Sequence, residues 1–481
     1  MRKDGPNYRF NAELRFEDKT LSGVSCALFL PSKYGEEVRI ELYPADASQR
    51  EELRNAGHFD LVGTIAEGRG KVSVVCEDVL STGMGARFWG VIAEARCRAN
   101  ADRVVVTQHV EEENGALSSR PSFVRFWLTP NPLLHPWGGI SLELNGNLIF
   151  TRDPWIALEL PSGEHLAFKY AADMEEVDEG EILHRSQLVA EIDALNARAD
   201  ALDVIQNLLD QEVELLVLLA SAAARTRTMC VGWHASDDTK IVSTYLRRVV
   251  PSSEPRTPEE LIPRQHFQEF LPAAYLALRN SPYRQEVQAA IWALTYENAV
   301  FESSYLALFA AMEGLILSFR QQRNLEFSLP SDIWGGLRES LKENARLFLK
   351  PRGVESERRA AVYNALEGVN RVPLRFAYSR FCAALTLETE DLWPLLDEEN
   401  GPSLSQIRNA LIHGAGLPWL THADGLMAAK EHLHWLLERA VLAIVGWSLG
   451  KAEVNQNTLS QYYFAHQRRE EHIRALAEVI P

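Results

Sequence analysis

Residues 301–319 read Phe-Glu-Ser-Ser-Tyr-Leu-Ala-Leu-Phe-Ala-Ala-Met-Glu-Gly-Leu-Ile-Leu-Ser-Phe, and this stretch decides the fold of the C-terminal half. Phe301, Tyr305, Leu308, Phe309, Met312, Leu315 and Ile316 return every three or four residues, so they line one face of a helix. Similar patterns predict helices over 283–298, 331–349, 355–367, 372–386, 403–413, 423–448 and 455–478, and from about residue 264 almost every segment reads as helix. One amphipathic helix cannot bury its own stripe. A run of them predicts a helical bundle.

The preceding residues read differently. Short apolar or alternating runs recur up to about residue 170: Tyr8–Phe16, Glu37–Tyr43, Lys71–Cys76, Phe88–Ala95, Arg103–Gln108 and Phe123–Leu128. Loops rich in Gly, Pro, Asn and Ser separate them, the pattern of a sandwich or barrel. Asn145-Gly146 is the pair favoured by a type I′ hairpin turn, and a second hairpin is expected at Pro161-Ser162-Gly163. The acidic stretch Asp173–Glu181 reads as a linker or exposed loop. Ser186–Ala224 shows helical spacing in Leu188, Ile192, Leu195 and Leu202. Met229–Trp233 and Thr239–Tyr245 suit a strand pair or a strand and a helix, and the Pro-rich Pro251–Pro263 marks a boundary. The expectation is an α+β multidomain chain. It has an antiparallel β-rich, sandwich-like module over 1–172, a linker and intermediate α/β segment over 173–260, and a helical domain over 261–481.

Composition narrows the function. Of 481 residues 46% are apolar and 24% charged, as in ordinary globular proteins. A net charge of −17 argues against a general nucleic-acid coat, because any phosphate contact must be local. The five cysteines are scattered without a CxxC pair, which fits reduced thiols. No apolar segment follows the N-terminal Met-Arg-Lys-Asp-Gly-Pro, and Val213–Ala224 and Val441–Leu449 are too short to span a bilayer. A cytoplasmic protein without membrane contact is expected.

Chemistry concentrates in Ser403-Leu404-Ser405-Gln406-Ile407-Arg408-Asn409-Ala410-Leu411-Ile412-His413-Gly414. Ser403 with Gln406 is a capping-box start and Gly414 suits the residue after the last turn. At about 100° per residue, Leu404, Ile407 and Leu411 face the core, His413 lies nearly opposite, and Asn409 sits one turn below it. A core role for His413 is disfavoured because aliphatics fill that stripe; a solvated surface histidine is the bland alternative. An imidazole with an ordinary pKa near 6.5 can exchange protons with a ribose 2′-OH or a leaving 5′-oxygen. An arginine can stabilise the charge that develops on phosphate, Asn409 can hold the imidazole or a phosphate oxygen, and no metal is required.

Arg408-Asn409-Ala410-Leu411-Ile412-His413 matches the Arg-x4–6-His signature of HEPN domains, including the polar residue that often follows the arginine. Residues 302–315 resemble an early helix of those domains, which carries a glutamate, here Glu313, before a small residue and Leu. With its β-rich N-terminal part the chain resembles ApeA-type HEPN proteins, which act in bacterial anti-phage defence. The resemblance is specific over 403–416, looser over 285–450 and architectural over 1–170. It implies a cofactor-free, metal-independent endoribonuclease that cuts tRNA or other cellular RNA and leaves 2′,3′-cyclic phosphate and 5′-OH ends. It also implies a homodimer with two motifs facing one cleft, and an N-terminal module that senses a phage component. Arg408, Asn409 and His413 carry over as catalytic residues. Glu313 carries over as a supporting one, although its place beside Glu302 at the helix edge also suits a solvated pair.

Residues 342–380 hold nine Lys/Arg against four glutamates, the one sizeable basic stretch of an acidic chain. Lys342, Arg346, Lys350, Arg352, Arg358 and Arg359 are the expected RNA-binding residues, with Arg371, Arg375 and Arg380 following; a solvated helix face is the alternative. His422, His432 and His434 do not suggest a metal site, since an i, i+2 pair on a helix diverges by about 160°. The competing reading of the whole is a non-catalytic HEPN-fold scaffold that binds RNA, a nucleotide or a protein. Such domains usually lack the Arg or the His, and this chain keeps both.

Overall fold

A computed structural model describes residues 6–480 except 32–36, 56, 68–69, 90–91, 112–116, 119–122, 135–139, 143–147, 151–155, 179–180, 193–200, 237–240, 249–258, 297–299, 397–400 and 414–418. The chain divides into two units, residues 1–256 and 257–481.

In the first unit β1 (Tyr8–Arg15), β2 (Thr20–Phe29) and β3 (Val38–Tyr43) form an antiparallel meander. After α1 (Ala47–Asn55) come β4 (His58–Glu67), β5 (Gly70–Trp89) and β6 (Ile92–Glu111). β1 also pairs with β4, β4 with β5, β5 with β6, and β6 returns to β3, which closes a six-stranded barrel. Alternate side chains fill it, among them Ala12 and Leu14 of β1, Val72, Val74 and Cys76 of β5, and Cys97 and Ala99 of β6. The Phe10 ring lies across Gly63, where a Cβ would come within 2.0 Å of it, so only glycine fits that point of β4.

The same sheet runs on past the barrel. β7 (Leu117–Ser118) pairs with the end of β6, β8 (Phe123–Leu128) follows, and β9 (Ile140–Leu142) with β10 (Leu148–Phe150) makes a separate pair. β11 (Ile156–Glu159), β12 (His165–Asp178), β13 (Glu181–Ile192), α2 (Ala201–Leu208), α3 (Glu214–Ala224), β14 (Cys230–Ser236) and β15 (Ile241–Arg247) complete the unit. β6 pairs with β3 through Cys97–Ala101 and with β15 through Arg103–Thr107, and the order continues β15-β14-β8-β13-β12-β11. α3 is buried all round, from Leu215 to Ala224.

Several expectations change. A barrel extended into an open sheet replaces the sandwich-like arrangement. The segment 173–260, expected as a linker and intermediate α/β segment, does carry strands and helices, but through residue 256 it belongs to the first unit and does not separate the β-rich module from the helices. Asp173–Asp178 ends β12, where Asp173 stands opposite Arg185 and Met174 opposite His184. Ser186–Ile192 is strand, and the next described element is the helix at Ala201–Leu208. A spacing of four, as between Leu188 and Ile192, keeps two residues on one face in either a strand or a helix, so it did not discriminate. Of the two readings for Met229–Trp233 and Thr239–Tyr245, the described residues from Cys230 and from Ile241 onward bear out the strand pair, β14–β15. The turn at Pro161-Ser162-Gly163 is present, with Gly163 at φ +92° and its N–H donating to the Leu160 carbonyl. Asn145-Gly146 lies outside the described residues.

The second unit is helical: α4 (Arg264–Arg279), α5 (Arg284–Thr295), α6 (Phe301–Gln322), α7 (Ser331–Leu349), α8 (Ser356–Glu367), α9 (Leu374–Leu385), α10 (Leu404–Ile412), α11 (Trp419–Ile444), α12 (Gln456–Leu459) and α13 (Arg469–Ala477). α4 carries Pro272 in its interior, while its buried Phe267, Phe270, Leu271, Ala274, Tyr275 and Leu278 keep the helical period on either side of it. The expected helix over 455–478 is broken by a π turn at Tyr463–Gln467. α6 is central and packs on α5, α9, α10 and α11, with Tyr305, Leu308, Phe309, Met312, Leu315, Ile316 and Phe319 buried. Among the described residues no helix is long and apolar enough to cross a membrane.

α7 and α8 pack on each other as an arm in which no described side chain is buried. Its root is a small ladder. Ser328 N–H donates to the Asn370 carbonyl, Val372 N–H donates to the Glu326 carbonyl, and the buried Asn370 amide bonds both the N–H and the carbonyl of Leu329.

Behind α11 lies a buried polar network. Arg439, wholly buried, donates to both carboxylate oxygens of Asp391 (2.6 and 2.7 Å) and to the carbonyls of Val454 and Glu388. Burial would raise the Asp391 pKa, but the bonds from Arg439 outweigh it and hold the carboxyl below its ordinary range. His432 accepts from Trp393 N–H at Nδ1 (3.2 Å) and donates from Nε2 to the Ala465 carbonyl (3.1 Å). Its surroundings therefore suit the neutral ring, and burial pushes its pKa down to about 3. The unfolded chain takes up the proton near pH 6.5 and the folded one only near pH 3. The stability this site contributes is complete above pH 6.5 and is lost as pH falls, by about 1.4 kcal/mol per pH unit. Burial lowers the His466 pKa as well, in the same sense. Calorimetric unfolding of the helical unit from pH 7 to pH 4.5 should show this decline, and His432→Gln should flatten it. Equal slopes for the two proteins would remove His432 as the cause.

Candidate active site

The site is built on α10, whose start is over-determined. Ser403 Oγ accepts from Gln406 N–H (3.4 Å) while Gln406 Oε1 accepts from Ser403 N–H (2.8 Å), the capping box read from the sequence. Two more first-turn donors are taken up by the chain before it: Leu404 N–H by the Pro394 carbonyl and Ser405 N–H by the Leu395 carbonyl, both at 3.0 Å. Trp393 Nε1 donates to the Pro402 carbonyl (2.8 Å), and the buried Tyr305 hydroxyl donates to the Leu404 carbonyl (2.8 Å). Leu404 and Ile407 are fully buried, and Leu411 half-buried. The expected core stripe is thus met most closely at its N-terminal end.

The opposite face carries the polar residues. His413 is the C-cap residue and is exposed, with its N–H bonded to the Asn409 carbonyl (3.0 Å), and Asn409 is exposed one turn below it. Ile412 beside them is 50% exposed. Arg408 is half-buried. Its guanidinium lies 5.4 Å from the Phe309 ring centre, 3.5 Å from Glu313 Oε2, and donates to Asn409 Oδ1 at 2.9 Å. Phe309 and Glu313 are one turn apart on α6, so one helix face holds the arginine from below and from the side. Glu313 is therefore an arginine partner, not a member of a solvated pair with Glu302. Both groups of the Arg408–Glu313 pair are about one-third exposed, so its net energy falls at or below about 1 kcal/mol, and its effect is to orient the guanidinium.

The structure brings Arg408, Asn409 and Glu313 into contact and sets His413 on the same helix, one turn beyond Asn409. The expected RNA-binding set sits elsewhere, on the α7–α8 arm: Arg346 pairs with Glu343 (2.8 Å), Arg358 approaches Glu355 (3.8 Å), and Lys350, Arg352 and Arg359 share the same hairpin with Lys342. What ties the arm's root to the site is α6, whose Arg320 donates to the Val372 carbonyl (3.3 Å). Phe309, read from the sequence only as core, also supports Arg408; its i, i+4 relation to Glu313 was the available signal. Neither His432 nor His434 turns to a shared centre: His432 bonds Trp393 and Ala465, while His434 bonds the Leu294 carbonyl and lies near Glu438. No group of three metal-ligating side chains occurs among the described residues.

Comparison with family models, with curated proteins and with solved structures finds no match for the chain.

The contrast between the two anchors is testable. Tyr305→Phe removes a donor from a buried carbonyl and should destabilise the helical unit by about 1–2 kcal/mol, whereas Glu313→Ala should cost less than about 1 kcal/mol. Urea unfolding measures both, and a larger loss for Glu313→Ala would reverse the ranking.

Proposed function

We propose that this chain is a metal-independent endoribonuclease of the HEPN type, with Arg408, Asn409 and His413 as its catalytic residues and Glu313 as a positioning residue. The observation that carries the reading is an exposed imidazole at the end of a firmly anchored helix, one turn from an exposed amide that itself accepts from an oriented guanidinium. His413 takes the proton of a ribose 2′-OH, or returns one to the departing 5′-oxygen. The 2′-oxygen attacks the adjacent phosphorus, the bond to the 5′-oxygen breaks, and a 2′,3′-cyclic phosphate and a 5′-OH result. Arg408 stabilises the negative charge on the phosphorus-bound oxygens. Asn409 accepts from Arg408 through Oδ1, which leaves its amide N–H groups to hold a phosphate oxygen.

Arg408 and His413 lie about 140° apart around α10, so a second copy of the chain supplies the complementary half of a composite cleft in this reading. The substrate is tRNA or other cellular RNA, the setting is a cytoplasmic anti-phage response, and the β-rich unit restrains or triggers cleavage. The anti-phage and sensing roles rest on family resemblance.

One observation favours the non-catalytic scaffold instead: Glu313 already neutralises Arg408 within the same chain. The two readings separate in a cleavage assay with EDTA present. Wild type should cut, while His413→Ala and Arg408→Ala, folded by circular dichroism, should lose at least about a hundredfold in rate. Mutants that cut as fast as wild type, or a wild type inert even with extract of infected cells, would sink the nuclease and leave the scaffold.

A further inference from the structure

The arm presents apolar surface to solvent in a pattern that packing does not require. On α7, Ile333, Leu337, Leu347 and Phe348 fall on one stripe about 100° wide and are all exposed. Two of the exposed aromatics share a further feature. Phe348 is 57% exposed, and the Arg352 guanidinium lies 3.6 Å over its ring, held there by a bond from Nη1 to the Phe348 carbonyl (2.8 Å). Phe376, at the start of α9, is 45% exposed, with the Arg380 guanidinium 5.2 Å from its ring. Neither arginine has an acidic partner among the described residues. A flat ring with a cation beside it is the chemistry that receives a nucleobase on the ring face and its phosphate on the charge.

The position of these pairs relative to His413 follows from α6. Its residues contact α10 in matching order, Tyr305 with Leu404, then Phe309 and Glu313 with Arg408. The two helices therefore run in the same direction, and His413 lies toward the end of α6 that carries Arg320. Arg320, seven residues or about 10 Å beyond Glu313, binds Val372 at the foot of α9. Phe381 of the same helix packs edge-on against Phe319, 5.6 Å between ring centres. The Phe376–Arg380 pair is thus attached to the end of the scaffold toward which the candidate nuclease helix points. Phe348 stands about 25 Å farther out along α7. Platforms so far apart call for a strand with several bases, not a mononucleotide.

We infer that Phe348–Arg352 on the arm and Phe376–Arg380 at its root form a stacking surface for the unpaired bases of an RNA strand, and that this surface leads the strand to the His413 end of α10. The inference rests on the ribonuclease reading for its RNA and on the arm's exposed Phe–Arg pairs for its location. A second copy of the chain is the weaker occupant of the arm, since the basic stretch would then meet itself.

The test uses the full-length chain carrying His413→Ala, so that binding is read without cutting. A fluorescent single-stranded RNA and a perfect RNA duplex of equal length serve as probes. Phe348→Ala and Phe376→Ala should each weaken single-strand binding roughly tenfold or more, with Phe→Trp at either position retaining it and duplex binding unmoved. Unchanged single-strand affinity in both alanine variants overturns the surface. So does a fall from dimer to monomer in sedimentation with RNA affinity intact, which would make the arm a contact between copies. Equal loss of duplex and single-strand binding would also overturn it, as a charge effect without stacking. Cleavage is scored separately in chains with His413 restored. If cutting proves independent of His413 while the Phe variants still bind weakly, the catalytic assignment falls and the stacking surface stands.

Discussion

A tyrosine hydroxyl enclosed by a helical core must find an acceptor, and for Tyr305 the acceptor is the main-chain carbonyl of Leu404. That bond joins α6, which packs on α5, α9, α10 and α11, to the helix that carries the candidate chemistry. It sets the depth of α10 against α6 at one point, and Phe309 and Glu313 set its rotation at the next turn. Once those points are fixed, Arg408 lies along the interface and Asn409 and His413 face outward without side-chain contacts of their own to the core. The exposed chemistry depends on buried packing a turn or two below it.

The legible part of this arrangement is the part written in local rules. The limits of α7 and the capping box of α10 follow from periodicity and from a serine three residues before a glutamine, which act within a few residues. The pairing of Glu313 with Arg408 is not local. It joins residues 95 positions apart, and the sequence marked only that Glu313 sits at a helix edge. The β-rich half was legible as a sandwich or a barrel but the choice between them was not, because closure depends on β6 returning to β3 while β15 takes over its later residues. Strand alternation says which residues face inward and leaves the order of the neighbours open. The acidic stretch at Asp173 misled for a related reason: charged residues suit both a loop and the end of a long hairpin.

Charge is organised in the same layered way. The strongest ion pair of the second unit, Arg439 with Asp391, is buried and bidentate and lies among Trp393, His432 and His466, away from the solvent face of α10. Such a pair is costly to break and contributes geometry more than net stability. The arm's cations, in contrast, are exposed or only partly buried and are screened by salt. A molecule with an overall negative field can hold a basic surface only where that surface stands apart from the acidic bulk. A hairpin with no buried described side chain meets that condition.

The ladder at the arm's root also bears on how the chain can change over evolutionary time. Phe327 and Arg371 are bridged, so the segment between them leaves and rejoins the bundle through two adjacent backbone positions. Whatever is spliced between those positions, long or short, leaves the packing of α6 on α9 and α10 formally untouched. The arm is in this sense an interchangeable cassette. The bundle and its polar helix end form a chassis that can be refitted for another target by exchanging one hairpin, with no repacking of the core that positions His413.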